Sequence, residues 1–198
     1  MTDPGTTADD AEARRWVDAH REGASADEAL AFFDRLPPAS PDGMLGRWRG
    51  SGLPTGSPLD GLLETYGWYG KEFVDAETAH PLLFRDRAGR PRPVDPELLP
   101  VGLLRDRAGL VHHPLARSAF SGVRPLLFTR KPKARLRALE YRGVVTAAMI
   151  YDALPIIDVF RRVDDDMVLG FMDMRGLPDP FFFLLERDEP PVSSAPAG

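Results

Sequence analysis

Five segments in the C-terminal third of the chain have the hydrophobic patterns of β-strands. Residues 133–141 alternate basic and apolar side chains, which is typical of a strand with one solvated face. More uniformly apolar runs, typical of strands covered on both faces, follow at residues 144–151, 156–163, 167–174 and 180–186. Turn residues separate the segments, including Arg142-Gly143, Leu154-Pro155 and Arg175-Gly176. Because no segment between them is long enough for a crossover helix, the pattern predicts an antiparallel meander.

The N-terminal part of the chain has helical patterns instead. Ser25 followed by Glu28 has the form of a capping box, and the helix that it opens is expected to end at Pro37-Pro38. Apolar residues with helical spacing share one face of this helix, namely Ala29, Phe32, Phe33 and Leu36. A shorter helix is expected from Asp9 or Asp10 to about His20. Another is expected to begin at Ser57 and to end with the aromatic residues Trp68 and Tyr69.

Together these elements predict an α+β fold with an antiparallel, lipocalin-like (calycin-like) β-barrel or strongly curved sheet. The N-terminal helices are expected to close one end. We expect residues 1–24 to form a flexible arm with a short helix, and residues 188–198, rich in Pro, Ser and Ala, to form a disordered tail. Residues 25–187 are predicted to form a single domain. Its helices and first strand lie in residues 25–75 and its antiparallel sheet in residues 76–187.

Composition narrows the classes of function. The net charge of −5 does not support binding to nucleic acids. The chain has no cysteine, so neither disulfides nor thiolate metal sites are expected. No basic segment followed by an apolar run resembles a secretory signal, and no apolar run approaches the ~18 residues of a membrane-spanning helix. We therefore expect a cytoplasmic protein without an integral membrane segment.

Residues 46–52 place one tryptophan between two arginines on a short predicted strand. Side chains alternate along a strand, so Trp48 would face one side, and Arg47 and Arg49 the other. With the C-terminal patterns of residues 140–156 and 158–173, this motif resembles the GXWXG family of bacterial proteins, which carry a companion C-terminal domain of unknown function. The resemblance covers about residues 29–186 and implies no settled activity. The residues that match the motif are Gly46, Trp48 and Gly50.

The same motif is similar to the first strand of lipocalin-like barrels. Its longer form, GxWxGxG, is found in nitrobindins and matches this chain from Gly46 to Gly52. Nitrobindins bind haem through a histidine late in the chain, whereas the last histidine here is His113. The resemblance therefore implies a barrel with Trp48 at its closed end, and we expect neither haem nor another cofactor.

Asp158 is the most informative charged residue of the predicted strands. It shares a strand face with Ile156 and Phe160, so its carboxylate should lie on an apolar face, where it needs a partner or a shifted pKa. Arg162, or Arg142 on a neighbouring strand, is expected to supply the positive charge, while Lys71 is expected to be solvated. A structural ion pair and a ligand-binding group are both compatible with this position.

Residues 117–142 carry the strongest charge asymmetry, with eight basic residues against Glu140 alone. This pattern fits either a solvated sheet face that is balanced by acidic elements elsewhere, or a surface that contacts anions. His112 and His113 are adjacent, so on a strand they would point to opposite faces and would not chelate one metal ion. We predict no metal site.

We predict a binding protein for a small hydrophobic or amphipathic ligand, for example an acyl lipid, in the barrel cavity. Asp158 and Arg162 would orient the ligand. The cavity would be lined by Trp48, Trp68, Tyr151, Phe160, Phe171 and Phe183. One alternative is a cofactor-independent enzyme that uses acid–base chemistry at Asp158 or Glu140 with Tyr151 or a histidine. Another is an interaction protein with a filled barrel, whose basic face contacts an acidic partner or, weakly, an anionic surface.

Overall fold

The structure, a computed structural model, describes residues 4–99, 120, 122–177 and 179–188. Residues 1–3, 100–119, 121, 178 and 189–198 lie outside this description. They include His112, His113 and Arg117 of the predicted histidine pair and basic region, and residues 189–198 of the predicted tail.

Eight antiparallel strands close into a barrel in the described part of the chain. The order around the barrel is β1, β9, β8, β7, β6, β5, β3 and β2, and β2 pairs again with β1. A further short strand, β4, pairs with β3. The strands are β1 (Gly46–Leu53), β2 (Trp68–Phe73), β3 (Ala79–Arg85), β4 (Pro91–Pro93), β5 (Ala134–Tyr141), β6 (Val144–Tyr151), β7 (Ile156–Asp164), β8 (Met167–Met174) and β9 (Phe181–Arg187). The predicted α+β fold with an antiparallel barrel is therefore confirmed.

All five strands predicted in the C-terminal third are present as β5 to β9. They form consecutive antiparallel hairpins, so the predicted meander is confirmed. The turn between β5 and β6 has positive φ values at both Arg142 (51°) and Gly143 (76°). A two-residue hairpin whose twist matches its strands requires this conformation, and Gly143 adopts it without steric cost.

The described residues also contain α-helices at α1 (Pro4–Ala19), α2 (Ala26–Arg35), α3 (Pro41–Met44) and α4 (Leu62–Tyr66), and short 3₁₀ helices at Pro96–Leu98 and Arg124–Leu127. The predicted capping box of α2 is present. The Ser25 side chain accepts from the Glu28 amide at 3.2 Å, and the Glu28 carboxylate accepts from the Ser25 amide at 2.9 Å. Helix α1 is longer than predicted and includes Pro4, a residue that suits the first turn of a helix.

The helix predicted from Ser57 to the Trp68-Tyr69 pair is wrong at both ends, since it begins only at Leu62, after Gly61. Helix α4 ends at Tyr66 because Gly67 adopts a left-handed conformation (φ 72°), which is a common helix terminator. Trp68 and Tyr69 instead begin β2, which pairs with both β1 and β3 and so completes the barrel.

Apolar side chains pack on both faces of the barrel wall. The outer face of β6 to β9 is covered by α1 and α2, and this layer includes Val17, Phe33, Val159, Leu169 and Phe182. The inner face has its own cluster, which includes Trp48, Trp68, Phe73, Phe160 and Phe183. The short helix α3 directly precedes β1, where its Met44 carbonyl accepts a hydrogen bond from the Trp48 indole at 2.7 Å. The barrel interior therefore has an aromatic lining.

Candidate functional site

A buried polar cluster lies inside this aromatic lining. Lys71 Nζ is 2.7 Å from Asp158 Oδ2, and the Tyr151 hydroxyl donates to the same carboxylate oxygen at 3.3 Å. Lys71 also donates to the carbonyl of Pro81 at 3.2 Å. We call Lys71, Asp158 and Tyr151 the Lys71 cluster. Its members come from β2, β7 and β6, so only the closed barrel brings them together.

Aromatic rings surround the Lys71 ammonium group. Its Nζ lies 4.9 Å from the ring centre of Phe183, 5.5 Å from that of Trp68 and 5.9 Å from that of Tyr151. A cation is attracted to the faces of such rings, and most strongly where water is excluded. Only 4% of the Lys71 side chain and 1% of the Asp158 side chain is exposed to solvent. The ion pair is therefore enclosed by ring faces.

Burial acts on both charged members of the cluster. It raises the pKa of the Asp158 carboxyl above its ordinary value, although the attraction of Lys71 opposes the shift. It lowers the pKa of Lys71, although Asp158 opposes that shift in turn. Burial also raises the pKa of Tyr151 well above its ordinary value, so this hydroxyl keeps its proton at neutral pH. Each shift moves the pair towards its uncharged form, an amine beside a carboxylic acid.

Two polar atoms of this region have no hydrogen-bond partner among the described residues. One is Asp158 Oδ1, a hydrogen-bond acceptor, and the other is Trp68 Nε1, a donor. Both belong to residues that contact Lys71. An unsatisfied buried polar atom costs about 1–3 kcal/mol, and more when it is charged. The interior therefore offers an acceptor and a donor that the described residues leave unused.

Three glycines lie where the barrel leaves no room for a Cβ atom, and two of them contact rings that surround Lys71. A Cβ atom at Gly50 of β1 would overlap the indole ring of Trp68, and one at Gly170 of β8 would overlap the ring of Phe183. Gly70 has a φ of 149°, and a Cβ there would overlap the Trp48 carbonyl. Gly50, the second glycine of the motif, thus leaves the space that the indole ring of Trp68 occupies.

Comparison with known protein families identifies the family of this chain. Residues 31–89 match the family described as GXWXG protein, and residues 132–187 match the domain described as domain of unknown function DUF4334. The chain belongs to the GXWXG protein family. The resemblance inferred from Gly46, Trp48, Gly50 and the C-terminal pattern is confirmed.

The chain is also similar to a solved structure, the crystal structure of a protein from Thermomonospora curvata. The two chains are 34% identical, and their TM-score is 0.67. The similarity covers 92% of this chain and 99% of the other. The search of curated proteins found no match.

Most of the aromatic residues singled out from the sequence face the interior of the GXWXG protein, namely Trp48, Trp68, Tyr151, Phe160 and Phe183. Phe171 does not. It lies on the outer face beneath α2, with ring centres 5.8 Å from Phe33 and 5.1 Å from Phe182. Its neighbours Gly170 and Met172 occupy the inward positions of β8. Because both faces of β8 are apolar, the sequence alone does not show which parity faces inward.

The predicted partner of Asp158 is also wrong. Arg162 binds Asp10 of α1 through two hydrogen bonds of 2.8 and 2.9 Å, and Arg142 binds Asp34 of α2 at 2.6 and 2.7 Å. The positive partner is instead Lys71, which was predicted to be solvated. Pairing of β2 with β3 is irregular between residues 68 and 72, so these residues do not follow simple alternation. Gly70 is the one sequence signal of this irregularity, because a glycine within a strand often marks a bulge.

Much of the predicted basic region is balanced by acidic partners. The described ion pairs are Lys133 with Asp95 and Glu97, Arg135 with Asp152, Arg137 with Glu77, and Arg142 with Asp34. This favours a solvated, balanced face over a surface that binds anions. Glu140, an alternative acid–base residue, is exposed on β5.

Among the described residues, none of the helices has the length and apolarity needed to span a membrane. Nor do the His, Asp and Glu side chains of that part of the chain form a group of three or more that is placed to hold a metal ion.

Proposed function

We propose that this GXWXG protein binds a small amphipathic molecule inside its barrel. The apolar part of the ligand would contact the inward-facing aromatic rings, and its polar group would meet the Lys71 cluster. The observation that carries this proposal is the carboxylate oxygen Oδ1 of Asp158, which is buried and has no hydrogen-bond partner among the described residues.

Energetic considerations support a functional role for the cluster. Replacing a buried ion pair with apolar residues of similar size is often neutral or stabilising, so Lys71 and Asp158 are weakly justified by stability alone. Buried polar groups with shifted pKa values are concentrated at functional sites. The interior of an eight-stranded barrel is either filled by its own side chains or holds one small ligand, so the size of this barrel is compatible with the proposal.

The proposed ligand belongs to the class predicted from the sequence, for example an acyl lipid. Its polar group would contact Asp158, Lys71 and Tyr151, in place of the predicted pair of Asp158 and Arg162. The predicted cytoplasmic location is part of the same proposal, and fractionation of the native cells would test it.

Native mass spectrometry of freshly purified protein tests this function, followed by organic extraction and identification of released molecules. We expect a small amphipathic molecule at a stoichiometry near one. Asp158→Asn should reduce the bound fraction, because a hydrogen bond to a charged group contributes about 1.5–3 kcal/mol, or roughly a tenfold to hundredfold in affinity.

Asp152→Asn is the matched control, since Asp152 is 40% exposed and pairs with Arg135 at the surface. This variant should retain the ligand. A protein that is purified without any ligand, and that shows no saturable binding of fatty acids, fatty alcohols or fatty aldehydes, would contradict the proposal.

A further inference from the structure

The lysines of this chain are few, and one of them has an unusual environment. Of the 25 Lys and Arg residues only three are lysines. Lys131 is exposed, and Lys133 is bound to Asp95 and Glu97. Lys71 is the buried one. An arginine cannot lose its proton in a protein, whereas a lysine can do so when it is buried. The basic side chain inside the barrel is thus the type that can become a neutral amine.

The surroundings of Lys71 fit a nucleophilic amine. Its Nζ faces three aromatic rings at 4.9–5.9 Å, and its nearest polar neighbour is the Asp158 carboxylate at 2.7 Å. A lysine becomes a nucleophile when an apolar pocket favours its neutral form and a nearby base takes its proton. Burial lowers the pKa of Lys71 and raises that of Asp158, which supports transfer of the proton between them.

We propose that Lys71 forms a Schiff base with an aldehyde that carries an apolar chain. This inference rests on the proposed function, because the aldehyde must first occupy the barrel. The apolar chain would lie against the inward-facing rings, and its carbonyl carbon would reach Lys71 Nζ.

The reaction balances with the groups at hand. The neutral amine of Lys71 attacks the carbonyl carbon, and the C=O electron pair moves onto oxygen, which takes the proton held by Asp158. The nitrogen of the resulting carbinolamine returns a proton to the carboxylate. Asp158 then protonates the hydroxyl group, which leaves as water while the nitrogen lone pair forms the C=N bond. One neutral amine, one aldehyde and the proton held by Asp158 give one protonated imine, one Asp158 carboxylate and one water, and no oxidant or reductant is needed.

The hydrogen bonds of Asp158 suit this role. Its Oδ2 is occupied by Lys71 and the Tyr151 hydroxyl, whereas Oδ1 has no partner among the described residues. Oδ1 is thus the oxygen that would exchange a proton with the aldehyde. The Tyr151 hydroxyl donates to the other oxygen, Oδ2, and leaves Oδ1 free for this exchange.

Reductive trapping tests the inference. The full-length protein is incubated with nonanal and sodium cyanoborohydride, which converts an imine into a stable alkylated amine, and adducts are located by peptide mass mapping. We expect Lys71 to be modified at least about tenfold faster than Lys131, Lys133 and the N-terminal amine. Lys71→Arg keeps the positive charge but has no reactive amine, so it should lose the adduct. Lys131→Arg should keep it.

A parallel binding measurement separates this inference from the proposed function. Nonanol has the same chain but no carbonyl, so it reports occupation of the barrel without imine formation. Binding of nonanol without preferential modification of Lys71 would overturn the Schiff base and leave the proposed function standing. Modification of Lys131, Lys133 or the N-terminus at an equal or higher rate would also overturn it. If neither nonanol binding nor a Lys71 adduct is found, both the Schiff base and the binding of fatty chains fail.

Discussion

Gly50 lies directly against the indole ring of Trp68, so that a methyl group at position 50 would overlap the ring. This contact joins the second glycine of the family motif to a ring that borders Lys71. The motif therefore shapes the wall of the proposed binding site, in addition to forming strand β1.

The first prediction concerns this contact. Gly50→Ala should displace Trp68 and destabilise the protein by about 1–3 kcal/mol, because the added methyl group would overlap the indole ring. Urea unfolding measures the loss of stability, and a change in Trp fluorescence reports the displaced ring. Nonanol binding should weaken in parallel.

Gly122→Ala is the matched control for Gly50→Ala. A Cβ atom at Gly122 would meet nothing within 4 Å. The free energy of unfolding of Gly122→Ala should therefore differ from that of the natural protein by no more than about 0.5 kcal/mol. Equal stability and equal nonanol binding in the two variants would show that Gly50 does not position Trp68.

The second prediction concerns the pair of Lys71 and Asp158. Lys71→Met should destabilise the protein by about 3–5 kcal/mol, since it leaves a buried carboxylate without its positive partner. The double variant Lys71→Met/Asp158→Leu removes both charges and should recover most of this loss. Urea unfolding of the single and double variants measures the coupling between the two residues.

Arg135→Met provides the comparison at the surface. Arg135 and Asp152 form an ion pair whose side chains are 48% and 40% exposed, so its removal should cost no more than about 1 kcal/mol. If Lys71→Met were as mild as Arg135→Met, the buried pair would not be a strongly coupled unit.

The third prediction is a tyrosine titration at high pH. All four tyrosines have a pKa above the ordinary value because of burial, and that of Tyr141 is raised to about 12. The native protein should therefore show no phenolate absorbance with a midpoint at or below pH 10, whereas the urea-unfolded protein should titrate near 10.

The same shifts predict the direction of a stability change. Between pH 10 and about 12 the folded state keeps the Tyr141 proton while the unfolded state loses it, so stability must fall as the pH rises through this range. The free energy of unfolding of Tyr141→Phe, measured by urea unfolding, should fall less steeply over this pH range. Its slope should differ from that of the natural protein by at most about 1.4 kcal/mol per pH unit. A variant with the same pH dependence as the natural protein would contradict the raised pKa of Tyr141.

The sequence predicted the C-terminal meander well because its signals are local. Each of the strands β5 to β9 has its own apolar run and its own turn residues, and the Ser25–Glu28 capping box specifies the start of α2 within four residues. These features need no knowledge of distant contacts.

The closure of the barrel and the Lys71 cluster depend on distant contacts. Trp68 and Tyr69 directly follow a helical pattern, which predicts that they end the helix, and only their pairing with β1 and β3 makes them a strand. Lys71 faces inward because this pairing is irregular. Strand alternation predicts the buried position of Asp158, because the residues of β7 around it alternate regularly. The same alternation does not predict the inward position of its partner Lys71.

The last prediction uses two phenylalanines that lie on opposite faces of the barrel wall. Phe160 on β7 packs inside against Phe73 and Phe183, with ring centres 5.7 and 6.2 Å apart, whereas Phe171 on β8 packs outside against Phe33. Phe160→Leu and Phe171→Leu make the same change at side chains of different burial, since Phe160 is fully buried and Phe171 is partly exposed. Phe160→Leu should lower stability by about 1–2 kcal/mol through lost packing, and Phe171→Leu by less. Nonanol binding, measured by titration calorimetry, should weaken in Phe160→Leu and stay unchanged in Phe171→Leu. Urea unfolding of both variants shows that each is folded during the titration, so that a difference in binding reports on the barrel interior itself. Equal weakening in both would place the ligand outside the barrel or show that binding follows global stability.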